Sequence, residues 1–336
     1  MLGRLPWVDI AKGLGIILVV IAHTRLPSQE VRWWINSFHM PLFFVVAGLC
    51  YDETRYSNLW KYLARKSRAL VYPYVTLSLI VLGLFATLYV GSDSKLSVSS
   101  LFGNMLRGGT FGAFWFITVL LEVELSYAIL ASLVRPSLAR LMLVFVVAVV
   151  GAYVIPSHLP YFFDAACVAV FFYGTGHFMR GRVLDWTQES RSWRWFAVVA
   201  GVSIALQVFL LLVFYRYKAG FASRDFKEPM FYFALALLGT AFLVSASILF
   251  DRCGRWIRLV ENWIASPLQF IGRNTIVVLA LHNALGAIRN SWCSPPQNLN
   301  AIVGQGVEFG LLALFMWLFS GPLHCVIAWP KFKEDK

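Results

Sequence analysis

Apolar runs of about 20 residues recur along this chain, and their recurrence constrains the fold more than any single motif. A run of that length spans the ~30 Å hydrocarbon core of a bilayer as a helix, because in lipid each backbone N–H and C=O must find its partner within the protein. Windows of this kind fall near residues 7–25, 32–50, 69–90, 113–134, 138–156, 161–179, 194–214, 230–250, 267–288 and 304–328. They predict an all-α, polytopic membrane bundle of about ten transmembrane helices. Composition agrees: of 336 residues, 59% are hydrophobic and 14% charged, and the mean hydropathy is +0.68. An ordinary water-soluble domain is excluded.

Charge sets the orientation. With the N-terminus in the cytoplasm, inner segments hold eighteen Lys and Arg residues, including Arg4, Arg65, Lys66, Arg68, Arg180 and Arg258, against nine in outer loops. The positive-inside rule therefore places both termini in the cytoplasm. The net charge of +12 follows from loops facing an anionic leaflet, and nucleic acid is not needed as a partner. The first apolar run is interrupted by Asp9 and Lys12 and lacks a small-x-small cleavage site, so it is expected to remain as helix one rather than act as a signal peptide. Five cysteines without CxxC spacing, of which only Cys293 falls in an outer loop, support neither a disulfide framework nor a zinc site.

A single transmembrane domain over 1–336 is expected, with no extra soluble domain and two informative extramembrane stretches. Residues 92–112 form a Ser/Gly-rich outer loop long enough to be functional. Residues 52–68 alternate Leu59, Trp60, Leu63 and Ala64 with Lys61, Arg65, Lys66 and Arg68, the pattern of an amphipathic helix on the inner surface.

Ionisable groups inside spans are costly and mark functional candidates. His23 falls near the outer end of helix one, His39 about a third of the way into helix two, and His282 in the outer half of helix nine. His158, His177 and His324 read as interfacial or packing residues. Asp9 and Lys12 are spaced for a local ion pair. Lys12 precedes His23 by three helical turns, ~16 Å, on nearly one face. One stripe of helix one thus carries a cation near the cytoplasm and a base near the far side. Arg65 and Arg68 join the inner surface, as do Arg273, Asn274 and Thr275, where a helix start favours an anion. Glu122 and Glu124, midway down helix four, either bind a polar partner across the bundle or carry protons.

Five motifs stand in order: "WVDIAKGLGIILVVIAHT", "FHMPLFFVVAG", "RKSRALVYPY", "FWFI" and "IGRNTIVVLALH". Together they resemble the acyltransferase-3 family of integral membrane O-acyltransferases, and in particular its stand-alone, sugar O-acetylase-like members. Lys12 stands where many members have arginine, whose bidentate grip on phosphate lysine does not reproduce. Thr275 stands where serine is usual and keeps the hydroxyl.

The resemblance implies an acyl-CoA-dependent O-acyltransferase of the bacterial cytoplasmic (inner) membrane, moving an acyl group, in the first instance acetyl, to a hydroxyl of an extracytoplasmic or lipid-linked glycan. No tightly bound cofactor and no metal are implied; acetyl-CoA or another short acyl-CoA is the donor substrate. Its phosphates would rest on Lys12, Arg65, Arg68 and Arg273 with Asn274 and Thr275, and the thioester would reach His23 in a low-dielectric chamber. There His23 acts as general base or, alternatively, as a nucleophile forming an acyl-histidine. His39, His282 and Trp115 would orient it or stabilise the oxyanion. Pro41 would bend helix two so that freed backbone groups border the same chamber. The rival class is a transporter or flippase for an envelope glycan precursor, for which no internal repeat symmetry is evident.

Overall fold

A computed structural model describes residues 4–24, 27–53, 58–89, 102–103, 105–106, 113–135, 137–156, 159–188, 193–213, 221, 228–292, 299–321 and 323. His158, His324, Cys293, Cys325, residues 54–57 of the amphipathic segment and most of the loop 92–112 lie outside them.

Among the described residues the chain is all-α, with eleven helices of eight residues or more: α1 (Pro6–His23), α2 (Gln29–Leu49), α3 (Leu59–Tyr89), α4 (Trp115–Leu133), α5 (Ser137–Tyr153), α6 (Phe163–Gln188), α7 (Trp193–Val213), α8 (Pro229–Trp256), α9 (Ser266–Arg273), α10 (Thr275–Trp292) and α11 (Leu299–Ser320). Each apolar window overlaps one of them or, for 267–288, the pair α9 and α10. Six are long and apolar enough to cross a membrane, and Arg258–Arg273 with Thr275–Gly286 makes a seventh if it is one broken span. The amphipathic segment is not separate: from Leu59 it is the opening of α3, which continues without a break to Tyr89.

By contact density the chain divides into two units. The larger comprises residues 1–57, 126–159 and 163–273; the smaller comprises 58–125, 160–162 and 274–336. In the larger unit α2 packs on α6 and α8, α5 on α6, α7 on α8, and α1 on α2, α8 and α9. In the smaller, α10 packs on α3 and α11.

Glycine permits two close backbone approaches in the larger unit. At the α2–α6 crossing a Cβ on Gly48 would strike the Tyr173 carbonyl, and one on Gly176 would strike that of Val45. At the α1–α9 crossing Gly13 faces the Leu268 carbonyl and Gly272 that of Asp9. Small residues that let backbones touch are how membrane helices associate where lipid removes the hydrophobic drive. Polar glue supplements them. The Gln207 side chain on α7 is fully buried, donates to the Leu235 carbonyl at 3.0 Å and to Ser37 Oγ at 3.3 Å, and accepts from Trp34 Nε1 at 2.9 Å, tying α7 to α2 and α8.

A second network lies where α2 ends. Glu53 pairs with Arg140 of α5, Asp52 with Arg180 of α6 at 3.0 Å, and His177 Nδ1 with the Tyr127 hydroxyl at 2.8 Å. Tyr51 meets the His177 ring edge-on at 4.9 Å. His177 is a packing residue, as its sequence position implies.

Candidate active site

In the larger unit the predicted residues fall into two groups, one at each end of α1. Pro6 opens the helix at a position where its missing N–H has no intrahelical use. One turn on, Asp9 is 3% exposed and takes three cations: Arg4 Nε at 2.7 Å, Lys12 Nζ at 3.2 Å and Arg273 Nε at 3.4 Å. The Asp9–Lys12 pair is the one the spacing predicts. Arg273 reaches it because Gly272 and Gly13 let α9 lie directly against α1. Three cations on one carboxylate leave a positive excess, as an anion site requires. Arg4 was counted in the sequence only as inner-surface charge; its place beside Asp9 depends on how the chain enters α1.

His23 is the last residue of α1 and is exposed. The expectation of an enclosed chamber around it is corrected: the helix stops here because Thr24 is extended, its hydroxyl and its N–H both bonding the Ile21 carbonyl, at 2.8 and 3.0 Å. His23 Nδ1 lies 2.8 Å from the Val19 carbonyl. A carbonyl only accepts, so Nδ1 carries the hydrogen, and in the neutral ring Nε2 holds the lone pair. The ring is therefore oriented and its basic atom specified by its own helix. Arg32, in the first turn of α2, donates from Nη2 to the Thr24 carbonyl at 2.9 Å and caps the helix beside His23.

His39 is buried and lies halfway along α2, deeper than expected because α2 begins at Gln29. Its Nδ1 bonds the Ile35 carbonyl at 2.8 Å, the same tautomer lock as in His23, and it lies close enough to His23 for a charge on one ring to be felt by the other. Pro41 follows, and α2 runs through it as one helix. Its ring has no N–H to give the Ser37 carbonyl one turn back.

The remaining candidates belong to the smaller unit. His282 is 1% exposed and repeats the pattern, with Nδ1 at 3.0 Å from both the Val278 and Leu279 carbonyls. Trp115 opens α4, buried, and stacks on Phe162 at 5.5 Å between ring centroids. Tyr161 and Phe162 hold that stack from left-handed backbone, φ 58° and 64°, a conformation that costs a non-glycine residue about 1 kcal/mol or more. Asn274 and Thr275 are buried at the start of α10, where the Asn274 carbonyl accepts from the Val277 and Val278 N–H groups.

Arg65 and Arg68 are exposed on α3. The cation of the RKSR stretch that turns inward is Lys66, 2.8 Å from Glu124, and Tyr62 donates to the same carboxylate at 2.6 Å. Glu124 thus has polar partners across the helices, the first of the two roles open to it in the sequence. Glu308 on α11 is 6% exposed and its Oε1 lies 3.6 Å from where a Cβ on Gly286 would stand, one turn along α10 from His282. A charge within an apolar window is a legible signal, and the sequence reading missed it.

The fold and these residues define a polytopic helical membrane protein with three cations gathered on Asp9 toward one end of α1 and an oriented imidazole at the other. The model of the acyltransferase-3 family, an acyltransferase domain, matches residues 5–329, and the chain belongs to that family. Neither the curated proteins nor the solved structures gave a match.

Proposed function

We propose that this membrane acyltransferase takes an acyl group, acetyl in the first instance, from cytoplasmic acyl-CoA and places it on a hydroxyl of an extracytoplasmic or lipid-linked glycan, with His23 as general base. The proposal includes about ten spans with both termini in the cytoplasm of a bacterial inner membrane. The observation that carries it is the arrangement of α1. One 18-residue helix holds the Arg4/Lys12/Arg273 cluster at its start and an Nδ1–H-locked histidine at its end.

In this reading the donor's phosphates meet Lys12, Arg273 and the exposed Arg65 and Arg68, while Asn274 and Thr275 shape the start of α10. The thioester extends along α1 toward His23. Nε2 of His23 removes the acceptor hydroxyl proton as that oxygen attacks the thioester carbonyl. The tetrahedral oxyanion collapses, the C–S bond breaks, and the CoA thiolate takes the proton from the imidazolium. Products are an O-acyl ester and free CoA, with neutral His23 restored. His39, His282 and Trp115 are the proposed groups for orienting His23 and stabilising the oxyanion; one well-placed donor contributes about 3 kcal/mol in such roles.

The test incubates purified protein with radiolabelled acetyl-CoA and a bacterial envelope-glycan extract, and follows label into glycan and release of CoA. Label transfer by the wild type and none by His23→Ala is expected. Equal transfer by both would remove His23 from the mechanism, and no transfer by the wild type from any short acyl-CoA would overturn the donor assignment.

A further inference from the structure

Helices α6 and α7 follow one another in the chain but settle on different neighbours, α6 on α2 and α7 on α8. A cavity of about 680 Å³ opens between them, backed by Val45 and Leu49 of α2 and by Thr240 and Val244 of α8, all within the larger unit. We infer that it holds one acyl chain of an anionic membrane phospholipid, whose headgroup phosphate rests at Arg252. The inference stands apart from the choice of acyl donor and acceptor.

The lining suits hydrocarbon. It carries no charged side chain, and its polar side chains apart from the two indoles are three hydroxyls, Thr175, Thr240 and Ser245. That of Thr175 bonds the Phe171 carbonyl of its own helix at 2.9 Å. Water would find too few partners there, and a void would forfeit the close contacts of a packed interior. The cavity is open sideways, since Trp195 is 72% and Val199 37% exposed at its α7 lip. Val45, Leu49, Phe196 and Val244 behind them are buried, so a chain lying here touches the interior of the bundle, as bulk lipid on the outer face of α7 does not. Along α6 the lining runs from Trp186 to Thr175, eleven residues and ~16 Å. That is about half of a ~30 Å hydrocarbon core, the reach of one chain from one leaflet.

Charge at the Trp186 end selects the headgroup. Arg252, in the last turns of α8, donates from Nη2 to the Trp186 and Thr187 carbonyls at 3.2 and 3.0 Å and lies over the Phe196 ring, 5.9 Å from its centroid. Trp186 and Phe196 both line the cavity, so this guanidinium stands at its edge. The last turns of α6, the first turn of α7 and the last turns of α8 carry Arg180, Arg182, Arg194, Arg252 and Arg255 against Asp185 and Asp251, and Asp52 pairs with Arg180. Five cations against three acids leave a net charge of +2. Residues 189–192 add one charge of each sign, Glu189 and Arg191. The excess favours a phosphodiester with no charge of its own to cancel it over a zwitterionic headgroup. A polyprenyl phosphate also joins phosphate to hydrocarbon, but its chain outruns a cavity of one leaflet's depth.

The test places the full-length protein in phosphatidylcholine nanodiscs containing a graded fraction of phosphatidylglycerol with a diazirine on one acyl chain. After illumination, adducts are mapped by peptide mass spectrometry for the wild type, Arg252→Gln, Arg252→Lys and Val199→Trp. Labelling of the lining residues should saturate with the phosphatidylglycerol fraction, whereas the same diazirine chain on phosphatidylcholine should label them without saturating. Arg252→Gln should raise the half-saturating fraction about fivefold, and Arg252→Lys, which keeps the charge, by about twofold at most. Val199→Trp fills the lip and should abolish labelling of the lining while the outer face of α7 is labelled as before. Unfolding midpoints equal to the wild type's identify these changes as local; Val199 is at the exposed lip, so its variant serves if Arg252→Gln folds poorly. Equal saturation by the two headgroups, or labelling unmoved by both Arg252→Gln and Val199→Trp, would overturn the site. Displacement of the labelled lipid by undecaprenyl phosphate at a lower fraction than by unlabelled phosphatidylglycerol would overturn the assigned occupant.

Discussion

Breaking the buried pair between α3 and α4 from one side strands a charge, so removing both charges should cost less than the two single removals together. Glu124 is 4% exposed, Lys66 Nζ lies 2.8 Å from it, and the Tyr62 hydroxyl donates to it at 2.6 Å. Two unit charges at 2.8 Å attract by about 6 kcal/mol at an effective dielectric constant of 20. Desolvation offsets much of that, more for Glu124 than for Lys66, whose side chain is 31% exposed. Glu124→Gln keeps an acceptor for Tyr62 but strands the ammonium; Lys66→Met strands the carboxylate. Each should destabilise by about 2–3 kcal/mol, and the double variant by less than the sum, with a coupling of about 1.5 kcal/mol or more. SDS-titrated unfolding from bicelles, read by far-UV circular dichroism, gives the four corners of the cycle. Additivity within about 0.5 kcal/mol would refute the reasoning.

Gly48→Val should prevent correct packing of α2 on α6, since its Cβ would occupy the Tyr173 carbonyl; size-exclusion chromatography should show aggregate where the wild type is monodisperse. His39→Phe should lower acyl transfer at least tenfold with the unfolding midpoint preserved, and unchanged activity would make His39 a packing residue. Arg32→Ala removes the cap on the Thr24 carbonyl beside His23 and should destabilise by about 1 kcal/mol, with a larger loss in kcat than in donor affinity.

What could be read from the sequence was what local periodicity encodes. Apolar length put a helix in every window, though it read α9 and α10 as one, and the three-residue spacing of Asp9 and Lys12 gave a real ion pair. Tertiary geometry hid the rest. "RKSR" offers three cations, and only the packing of α3 against α4 selects Lys66, one turn from Tyr62, to face Glu124. The Asp9–Arg273 contact joins residues 264 apart and depends on two glycines whose role is visible only at the crossing. His39 was placed too near the membrane surface because the polar first turn of α2 falls outside any apolar window. Gln207 and Glu308 stood as single polar residues in apolar runs, a signal present but unweighed.

The central claim is that α1 divides the labour, with donor anchoring at Lys12 and proton transfer at His23. Its most direct test is kcat and the acetyl-CoA dissociation constant measured side by side for Lys12→Met and His23→Gln. The account predicts that Lys12→Met weakens acetyl-CoA binding about tenfold with little change in kcat, while His23→Gln lowers kcat by about 10²–10⁴ with donor affinity intact. Loss of donor binding in His23→Gln, or a full kcat in that variant, would contradict it.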